Sequence, residues 1–327
     1  MTGLTVHDTF IASEIPGVSL FVREKHPAGM TRFSPERTVL FVHGATYPAE
    51  TAFDLSLGGF SWMDFIARRG FDVFLVDVRG YGRSTRPPAM DAPAEANPPF
   101  ASTADARADV GAAVEYIRAR RGVDRVCLIG WSWGCATMGS FAAANPDLVA
   151  RLVLFAPGWV RDGASAADPG GALGAWRGVT RAAAKQRWLN GVPAAKRDAL
   201  IPPGWFDLWA DATFATDPAG AAMDPPVLRA PNGVVADSRA FWTAGKALYD
   251  PAGITAPTMI AVGEWDRATP PALGLTPFSL LANAREKRFV LIGEATHTAL
   301  MERARMALFD QVQVFLEGGI ETDVPAA

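Results

Sequence analysis

Cysteine and histidine are scarce in this chain of 327 residues, which contains only two of the former and four of the latter. Cys127 and Cys135 both fall in apolar segments and are too few to form a disulfide framework. We therefore expect two small buried thiols and a reducing, cytoplasmic location. Because histidines are so few, a histidine that falls in a recognisable motif carries weight as a functional residue.

Long apolar runs and a strong net charge are also missing. No stretch approaches the ~20 apolar residues that a membrane-spanning helix needs, and the opening residues MTGLTVHDTF show no secretory signal. Lysine and arginine total 31 against 34 aspartates and glutamates, which gives a net charge of −3. The sequence therefore predicts neither a membrane nor a nucleic acid as a partner.

Apolar sequence is abundant, since 49% of the residues are hydrophobic, and this is enough for one large core. Residues 4–11 and 18–24 predict an opening antiparallel pair of strands. Strands that are apolar on both faces are typical of a parallel sheet with helices on each side. Six later runs fit this description: 38–43, 72–77, 125–130, 151–156, 258–263 and 288–293.

Helical patterns occupy the intervals between these strands. In 101–121, apolar residues recur at helical spacing, and Ser102 with Asp105 predicts a capped start. Residues 298–317 predict a final helix that Gly318 and Gly319 end, with four polar residues facing away from the core: Glu302, Arg303, Arg305 and Glu317. The repeated β–α–β order predicts a doubly wound α/β sheet, whose ligands bind beyond the carboxyl ends of the strands.

One long segment, 161–250, interrupts the alternation. It contains no clear strand and is rich in aromatic residues, namely Trp176, Trp188, Trp205, Phe206, Trp209, Phe214, Phe241 and Trp242. We interpret 161–250 as a mostly helical cap, or lid, inserted over the edge of the sheet. The core domain then consists of 1–160 and 251–327.

The strongest motif is Gly130-Trp131-Ser132-Trp133-Gly134, which lies between a predicted strand and a helical segment of small residues. This is the context that a G-x-S-x-G nucleophile elbow requires. Glycines two positions from the serine relieve collisions with neighbouring backbone in the sharp turn. The turn exposes the Ser132 hydroxyl and directs the free N–H groups of the following helix toward a developing oxyanion.

A second motif, Phe41-Val42-His43-Gly44-Ala45-Thr46, ends an earlier strand. A loop at this place supplies a backbone N–H to the site, so we predict that the N–H groups of Ala45 and Trp133 form an oxyanion hole. We expect His43 to hold this loop through hydrogen bonds rather than to act as the catalytic base.

Two further motifs follow later predicted strands: GEWD at 263–266 and ATH at 295–297. A serine nucleophile needs a base, and that base needs a carboxylate to fix its tautomer. The order Ser132, Asp266, His297 is the order expected for this architecture. Glu264 is the rival carboxylate, but Asp266 lies further past the strand end, so we predict that Asp266 orients His297.

Taken together, these motifs resemble those of the α/β-hydrolase superfamily, in the branch that contains esterases, haloalkane dehalogenases, epoxide hydrolases and proline iminopeptidases. The matching residues span the predicted core: HGAT at 43–46, DVRGYGRS at 77–84, the GWSWG elbow, GEWD and the terminal THT. The resemblance implies a Ser–Asp–His triad on an eight-stranded sheet, with a cap after the sixth strand and 77–84 as a structural turn. Relatives with an aspartate nucleophile carry an acid where this chain has Ser132, which argues against dehalogenase and epoxide hydrolase activity.

Iminopeptidases share the elbow but carry an HGGPG-type loop, from which Ala45-Thr46 departs, and no clear acidic pair is visible in the cap. The predicted pocket residues are Trp131 and Thr46 of the core with Trp205 and Trp209 of the cap, although the cap aromatics also suit a small core of their own. Charges in the cap look balanced, which favours an apolar, uncharged substrate.

The sequence thus predicts hydrolysis of a small carboxylic ester through an acyl-enzyme on Ser132, without a metal or organic cofactor. Other reactions on the same triad stay open: amide, thioester, lactone, C–C or iminopeptide hydrolysis. A lyase or cofactor-free oxygenase that uses the fold also stays open, as does a non-catalytic binding protein. Neither the substrate nor the oligomeric state is specified by these motifs.

Overall fold

The chain begins with an antiparallel hairpin and continues into a parallel sheet. The structure is a computed structural model and describes residues 3–318. Its strands are β1 (Leu4–Ala12), β2 (Ser19–Pro27), β3 (Thr38–Val42), β4 (Asp72–Val76), β5 (Val126–Trp131), β6 (Val149–Phe155), β7 (Trp176–Val179), β8 (Leu228–Pro231), β9 (Thr258–Gly263) and β10 (Lys287–Ile292).

Eight of these strands form the main sheet in the order β1–β2–β4–β3–β5–β6–β9–β10. The pairs β1–β2 and β2–β4 are antiparallel, and the remaining pairs are parallel. The predicted α/β architecture is therefore confirmed, and the observed strands lie where the apolar runs placed them. The largest difference is at β2, which continues to Pro27 instead of ending at Glu24.

Helices cover both faces of this sheet. They are α1 (Ala49–Phe53), α2 (Trp62–Ala67), α3 (Thr103–Arg121), α4 (Trp133–Ala144), α5 (Arg181–Trp188), α6 (Arg197–Leu200), α7 (Trp205–Ala215), α8 (Pro218–Ala221), α9 (Gly233–Asp237), α10 (Pro271–Leu280) and α11 (Arg305–Leu316). The predicted cap of α3 is present as a reciprocal pair, in which the Ser102 hydroxyl accepts from the Asp105 N–H at 3.1 Å and Asp105 accepts from the Ser102 N–H at 2.8 Å.

Alternation along the buried strands separates two cores. Val39 and Phe41 pack with α1, α2 and α11 on one face, whereas Leu40 and Val42 pack with α3 and α4 on the other. Every residue of β3 is buried, as a central strand between two helical layers requires. The carboxyl ends of the parallel strands consequently meet at one rim, where their loops are brought together.

The C-terminal helix differs from its prediction. A continuous helix from 298 was expected, but a 3-10 turn at Ala299–Met301 comes first and α11 starts at Arg305. Glu302 and Arg305, expected to face away, are buried, with exposed fractions of 0% and 5%. Their partners explain the error, because Glu302 binds threonines of the preceding loop and Arg305 stacks on aromatic rings.

Gly318 adopts a φ of 91°, as a residue that ends a helix often does. Gly319, the second residue of the predicted stop, lies outside the described residues.

Segment 161–250 contains α5 to α9, a π-helical turn at Ser238–Trp242 and a two-stranded antiparallel sheet of β7 and β8. The expectation that this segment lacks strands was wrong, because β7 and β8 are only four residues long and give no clear period in the sequence. Its aromatic residues Phe206 and Trp209 do not form a separate core. They join the core on the face of the sheet that α1, α2 and α11 cover. The role of the segment as a lid stays a prediction.

The loop after β3 is held by His43, which is fully buried. Its Nε2 accepts a hydrogen bond from the Val78 N–H at 3.1 Å, so its Nδ1–H donates to the Gly44 carbonyl at 2.7 Å. The neutral imidazole therefore ties β3 to the loop after β4. Burial lowers the pKa of His43 to about 4.

This pKa makes folding stability sensitive to acid. The unfolded chain binds a proton on His43 below pH 6.5, whereas the folded chain resists it down to about pH 4. The free energy of unfolding should therefore fall by roughly 3 kcal/mol between pH 6.5 and pH 4 through this residue alone. Urea unfolding across this range should show that His43→Asn, although less stable at pH 7, lacks this component of the pH dependence.

His7→Gln, which alters an exposed histidine, is the matched control and should keep the wild-type pH dependence. Parallel pH profiles for the wild type and His43→Asn would contradict the assignment.

Candidate active site

Ser132 lies on the sharp turn between β5 and α4. Its backbone has φ 57° and ψ −116°, a conformation that costs of order 1–3 kcal/mol for a residue with a side chain. The turn is possible because the flanking glycines allow close packing. A Cβ atom on Gly130 would overlap the carbonyl of Gly134, and one on Gly134 would overlap the carbonyl of Val42.

The structure brings Ser132, His297 and Asp266 into one hydrogen-bonded line. His297 Nε2 lies 2.9 Å from Ser132 Oγ, and His297 Nδ1 lies 2.7 Å from Asp266 Oδ2. These residues come from the ends of β5, β9 and β10, which are neighbours or near neighbours at the same rim of the sheet. The side chain of Asp266 is buried behind the imidazole, whereas His297 is partly accessible.

Four donors surround the Asp266 carboxylate. Oδ1 accepts from the N–H groups of Ala268 and Thr269, both at 2.8 Å, and Oδ2 accepts from the Thr269 hydroxyl at 2.8 Å and faces His297. Thr269 was not anticipated from the sequence, although its position three residues after the acid fits a turn that closes on a carboxylate. The rival Glu264 instead accepts from the Glu294 N–H at 2.9 Å and is exposed.

The loop that carries His297 is fixed by a buried carboxylate that the sequence analysis missed. Glu302 accepts from the Thr296 N–H at 3.0 Å, from the Thr298 hydroxyl at 2.7 Å and from the Thr296 hydroxyl. Burial raises the pKa of Glu302, and the threonine donors oppose this effect only in part. The T-H-T pattern with a glutamate four residues after the second threonine is the signal that the sequence offers for this arrangement.

The tryptophans on either side of Ser132 act as clamps. Trp131 Nε1 donates to the His297 carbonyl at 2.9 Å, which joins the elbow to the histidine loop. Trp133 Nε1 donates to the Thr103 hydroxyl at 2.9 Å, at the start of α3. Each side chain thus satisfies its only donor while it anchors a neighbouring element.

The predicted oxyanion loop is held from behind. The Ala45 carbonyl accepts from the Tyr81 hydroxyl at 2.9 Å and from Arg177 Nη2 at 2.6 Å, and Arg177 also reaches the Thr46 hydroxyl at 3.1 Å. Arg177 is contributed by β7 and is nearly fully buried. Nothing in the sequence pointed to it, because β7 itself was not predicted.

A cleft opens above Ser132. It is partly open to solvent, and the loops that follow the parallel strands contribute to its lining. The core residues of its lining include the predicted Ala45, Thr46, Trp131 and Trp133, together with Ser132 and His297.

Two of the predicted pocket residues lie outside the lining of this cleft. Trp209 is fully buried and packs against Tyr47 and Trp188, and Trp205 stacks on Arg305; neither lines the cleft. Their helix, α7, turns its aromatic face toward the core instead. The segment 161–250 lines the cleft with other aromatic residues, Trp188 and Trp242.

The charge of the cleft also differs from the expectation. Charges in 161–250 looked balanced by count, yet this segment contributes Arg161 and Arg187 to the cleft lining, and the core adds Arg267. Among residues 3–318, no aspartate or glutamate belongs to the lining. Sequence counting missed this because it cannot tell which charges face inward.

Residues 3–318 contain no group of three or more His, Cys, Asp or Glu side chains arranged to hold a metal ion. In the same part of the chain, none of the helices combines the length and apolar character needed to cross a membrane.

Several solved structures share this fold at low sequence identity. A serine hydrolase involved in carbazole degradation has a TM-score of 0.64 at 16% identity, over 96% of this chain and 99% of that one. The 2-hydroxy-6-oxo-6-phenylhexa-2,4-dienoate hydrolase of Rhodococcus sp. strain RHA1 has a TM-score of 0.61 at 15% identity, over 97% and 100%. A thermophilic esterase from Thermogutta terrifontis has a TM-score of 0.55 at 19% identity, over 95% and 98%.

A comparison with curated proteins finds no match. The model of the α/β-hydrolase fold family, in contrast, matches residues 37–304, which include the elbow, the oxyanion loop, the acid loop and the histidine loop. The match covers most of the chain and agrees with the sheet order and with the motifs. This protein therefore belongs to the α/β-hydrolase fold family.

Proposed function

We propose that this protein hydrolyses carboxylic esters through an acyl-enzyme on Ser132. The observation that carries the proposal is the continuous line from Ser132 Oγ through His297 to Asp266, with distances of 2.9 and 2.7 Å. An alcohol is activated at neutral pH when a base lies within hydrogen-bond reach of it and a third group orients that base.

In the first half of the reaction, Ser132 Oγ bonds to the ester carbonyl carbon while His297 Nε2 takes the hydroxyl proton. The carbonyl electrons move onto oxygen, and the N–H groups of Ala45 and Trp133 stabilise the resulting oxyanion. Loss of one such donor costs about 3 kcal/mol of transition-state stabilisation. The imidazolium then gives its proton to the leaving alcohol oxygen as the C–O bond breaks, which leaves an acyl group on Ser132.

In the second half, water takes the place of the serine hydroxyl. His297 removes a proton from the water as its oxygen bonds to the acyl carbon, and the proton passes to Ser132 Oγ as that ester bond breaks. The balance is one ester and one water in, one acid and one alcohol out. No step calls for a metal or an organic cofactor.

Arg177 supports the proposed oxyanion hole. Arg177 is in no ion pair with a carboxylate among residues 3–318, and its Nη2 donates to the Ala45 carbonyl at 2.6 Å. A buried positive charge one peptide behind the N–H of Ala45 favours negative charge in front of it. Arg177 is therefore proposed as a positioning residue of the oxyanion loop.

Other acyl hydrolases use the same three residues, so the triad alone does not specify which bond is cleaved. The charge of the cleft lining favours one kind of substrate. An iminopeptidase has to hold a protonated amine, and the lining of this cleft offers three arginines and no carboxylate. This favours an ester over an amino-terminal peptide. A panel of p-nitrophenyl esters of graded acyl length, compared with a proline anilide, separates these candidates.

We also propose that segment 161–250 covers the site as a lid. It supplies Arg161, Arg187, Trp188 and Trp242 to the lining, opposite the rim of the sheet. Of the two tryptophans, Trp242 keeps a small exposed part and suits an apolar portion of a small ester.

Replacement of the nucleophile is the first test. Ser132→Ala should lower kcat for a p-nitrophenyl ester by about 10⁴-fold or more and should abolish labelling by a fluorophosphonate, because no other hydroxyl is activated. The matched control is Ser140→Ala, which alters a buried serine further along α4 and should retain hydrolysis and labelling. Persistent labelling of Ser132→Ala would place the nucleophile elsewhere.

Glu302 provides a second test, of the histidine loop. Glu302→Ala leaves the hydroxyls of Thr296 and Thr298 without their shared acceptor, so the position of His297 becomes less well defined. We expect kcat to fall by about 10- to 100-fold while KM changes by less than about threefold, since a displacement of roughly 1 Å has such an effect on chemistry.

The conservative variant Glu302→Gln keeps an acceptor and should recover most of the lost kcat. Glu317→Ala at the exposed end of α11 should behave as the wild type. Equal kcat for Glu302→Ala and the wild type would show that the loop holds His297 without this carboxylate.

A further inference from the structure

We propose that the substrate is an ester whose acyl portion ends in a carboxylate, and that Arg161, Arg187 and Arg267 bind this carboxylate in the cleft. The inference rests on the proposed ester hydrolysis at Ser132 and adds the substrate class. It replaces the expectation of an uncharged substrate.

The three arginines belong to the lining of one cleft, and we call the part of the lining that carries them its arginine wall. Arg161 Nη1 donates to the Ala268 carbonyl at 2.8 Å, and Arg267 is the residue next to Ala268. Arg187 lies on the last turn of α5, which leads directly into Gly191. A Cβ atom on Gly191 would lie only 2.6 Å from Arg267 Cγ, so this turn packs against the Arg267 side chain.

None of the three is neutralised by the protein. Within residues 3–318, no carboxylate oxygen comes within 4.0 Å of Arg161, Arg187 or Arg267. The remaining arginines of segment 161–250 that have acidic partners face elsewhere, in the pairs Arg181–Asp211, Arg229–Asp217 and Arg239–Asp168. These paired arginines lie outside the cleft lining, whereas the two arginines that the segment contributes to the lining, Arg161 and Arg187, have no carboxylate partner among the described residues.

Two acids adjoin these arginines along the chain, Asp162 next to Arg161 and Asp266 next to Arg267. Asp162 is exposed and lies in no ion pair among the described residues. Asp266 does not serve as a partner either. Its oxygens are taken by the donors of Ala268 and Thr269 and by His297. Its negative charge acts on Arg161 only at longer range. The wall therefore keeps a net positive charge when the triad is in its resting state.

A carboxylate suits this wall for two reasons. Three positive charges line the cleft without an acidic side chain in the described part of the lining, so an anionic group is attracted to it. The planar guanidinium also pairs with both oxygens of a carboxylate at once, which adds geometric specificity. Trp131 and Trp242, each with a small exposed part, supply apolar surface in the same cleft. An apolar chain that ends in a carboxylate matches both features.

The test compares two series of p-nitrophenyl esters. One series consists of monoesters of adipic, suberic and sebacic acid, and the other carries a neutral carboxamide in place of the free carboxylate. For at least one chain length, the wild type should prefer the carboxylate by about tenfold or more in kcat/KM. The preference should shrink in 0.5 M NaCl, since part of the interaction is screened.

Variants connect this preference to the named residues. Arg161→Gln and Arg187→Gln should each lower the preference for the carboxylate series by about fivefold or more, mainly through KM. The matched control is Arg181→Gln, which removes the same charge from the same helix as Arg187 but at an exposed residue paired with Asp211. It should leave the preference unchanged.

Fluorophosphonate labelling of Ser132 distinguishes failure of the carboxylate inference from failure of the proposed ester hydrolysis. If Ser132 is labelled but the carboxylate series is turned over no faster than the carboxamide series, or is not turned over, the inference is overturned and the proposed function stands. An equal loss of preference in Arg181→Gln would likewise overturn the assignment to the cleft. If Ser132 is not labelled and neither series is hydrolysed, the proposed function itself fails.

Discussion

The tight packing of the turn between β5 and α4 is the constraint on which the site depends. Ser132 keeps a φ of 57° because Gly130 and Gly134 let three backbone segments approach more closely than any side chain would permit. The strain of this turn is balanced by the buried strands on both sides, so the elbow is stiff. A stiff elbow presents the hydroxyl to His297 without a prior rearrangement. This reduces the entropy that is lost in reaching the reactive geometry.

Everything else at the rim secures the partners of that hydroxyl. His43 fixes the loop after β3, Glu302 fixes the loop after β10, and the amides that follow Asp266 fix the loop after β9. The side chains of His43, Glu302 and Asp266 are all buried, and each forms a hydrogen bond with a backbone group of its own or a neighbouring loop. Polar groups that are buried and fully paired in this way specify one arrangement, and the site inherits their precision. Segment 161–250 then adds Arg177 behind the loop after β3, and it adds Arg161 and Arg187 to the cleft lining.

Local pattern made the sheet and the central line of the site predictable from the sequence. Strands that are apolar on both faces have a clear signature, and Ser132, Asp266 and His297 each follow such a strand. The errors lie where long-range packing decides. Glu302 looked like a solvent-facing helical residue, and its burial depends on threonines in the preceding loop. Trp205 and Trp209 looked like pocket residues, but α7 turns them toward the core, an orientation that residue type alone does not specify.

The most direct measurement of the central claim is a crystal structure of the phosphonylated enzyme. The account predicts a single covalent bond from phosphorus to Ser132 Oγ, with the phosphoryl oxygen within hydrogen-bond distance of the N–H groups of Ala45 and Trp133 and with His297 still beside Asp266. Phosphorus on another residue, or a phosphoryl oxygen that points away from both N–H groups, would contradict it.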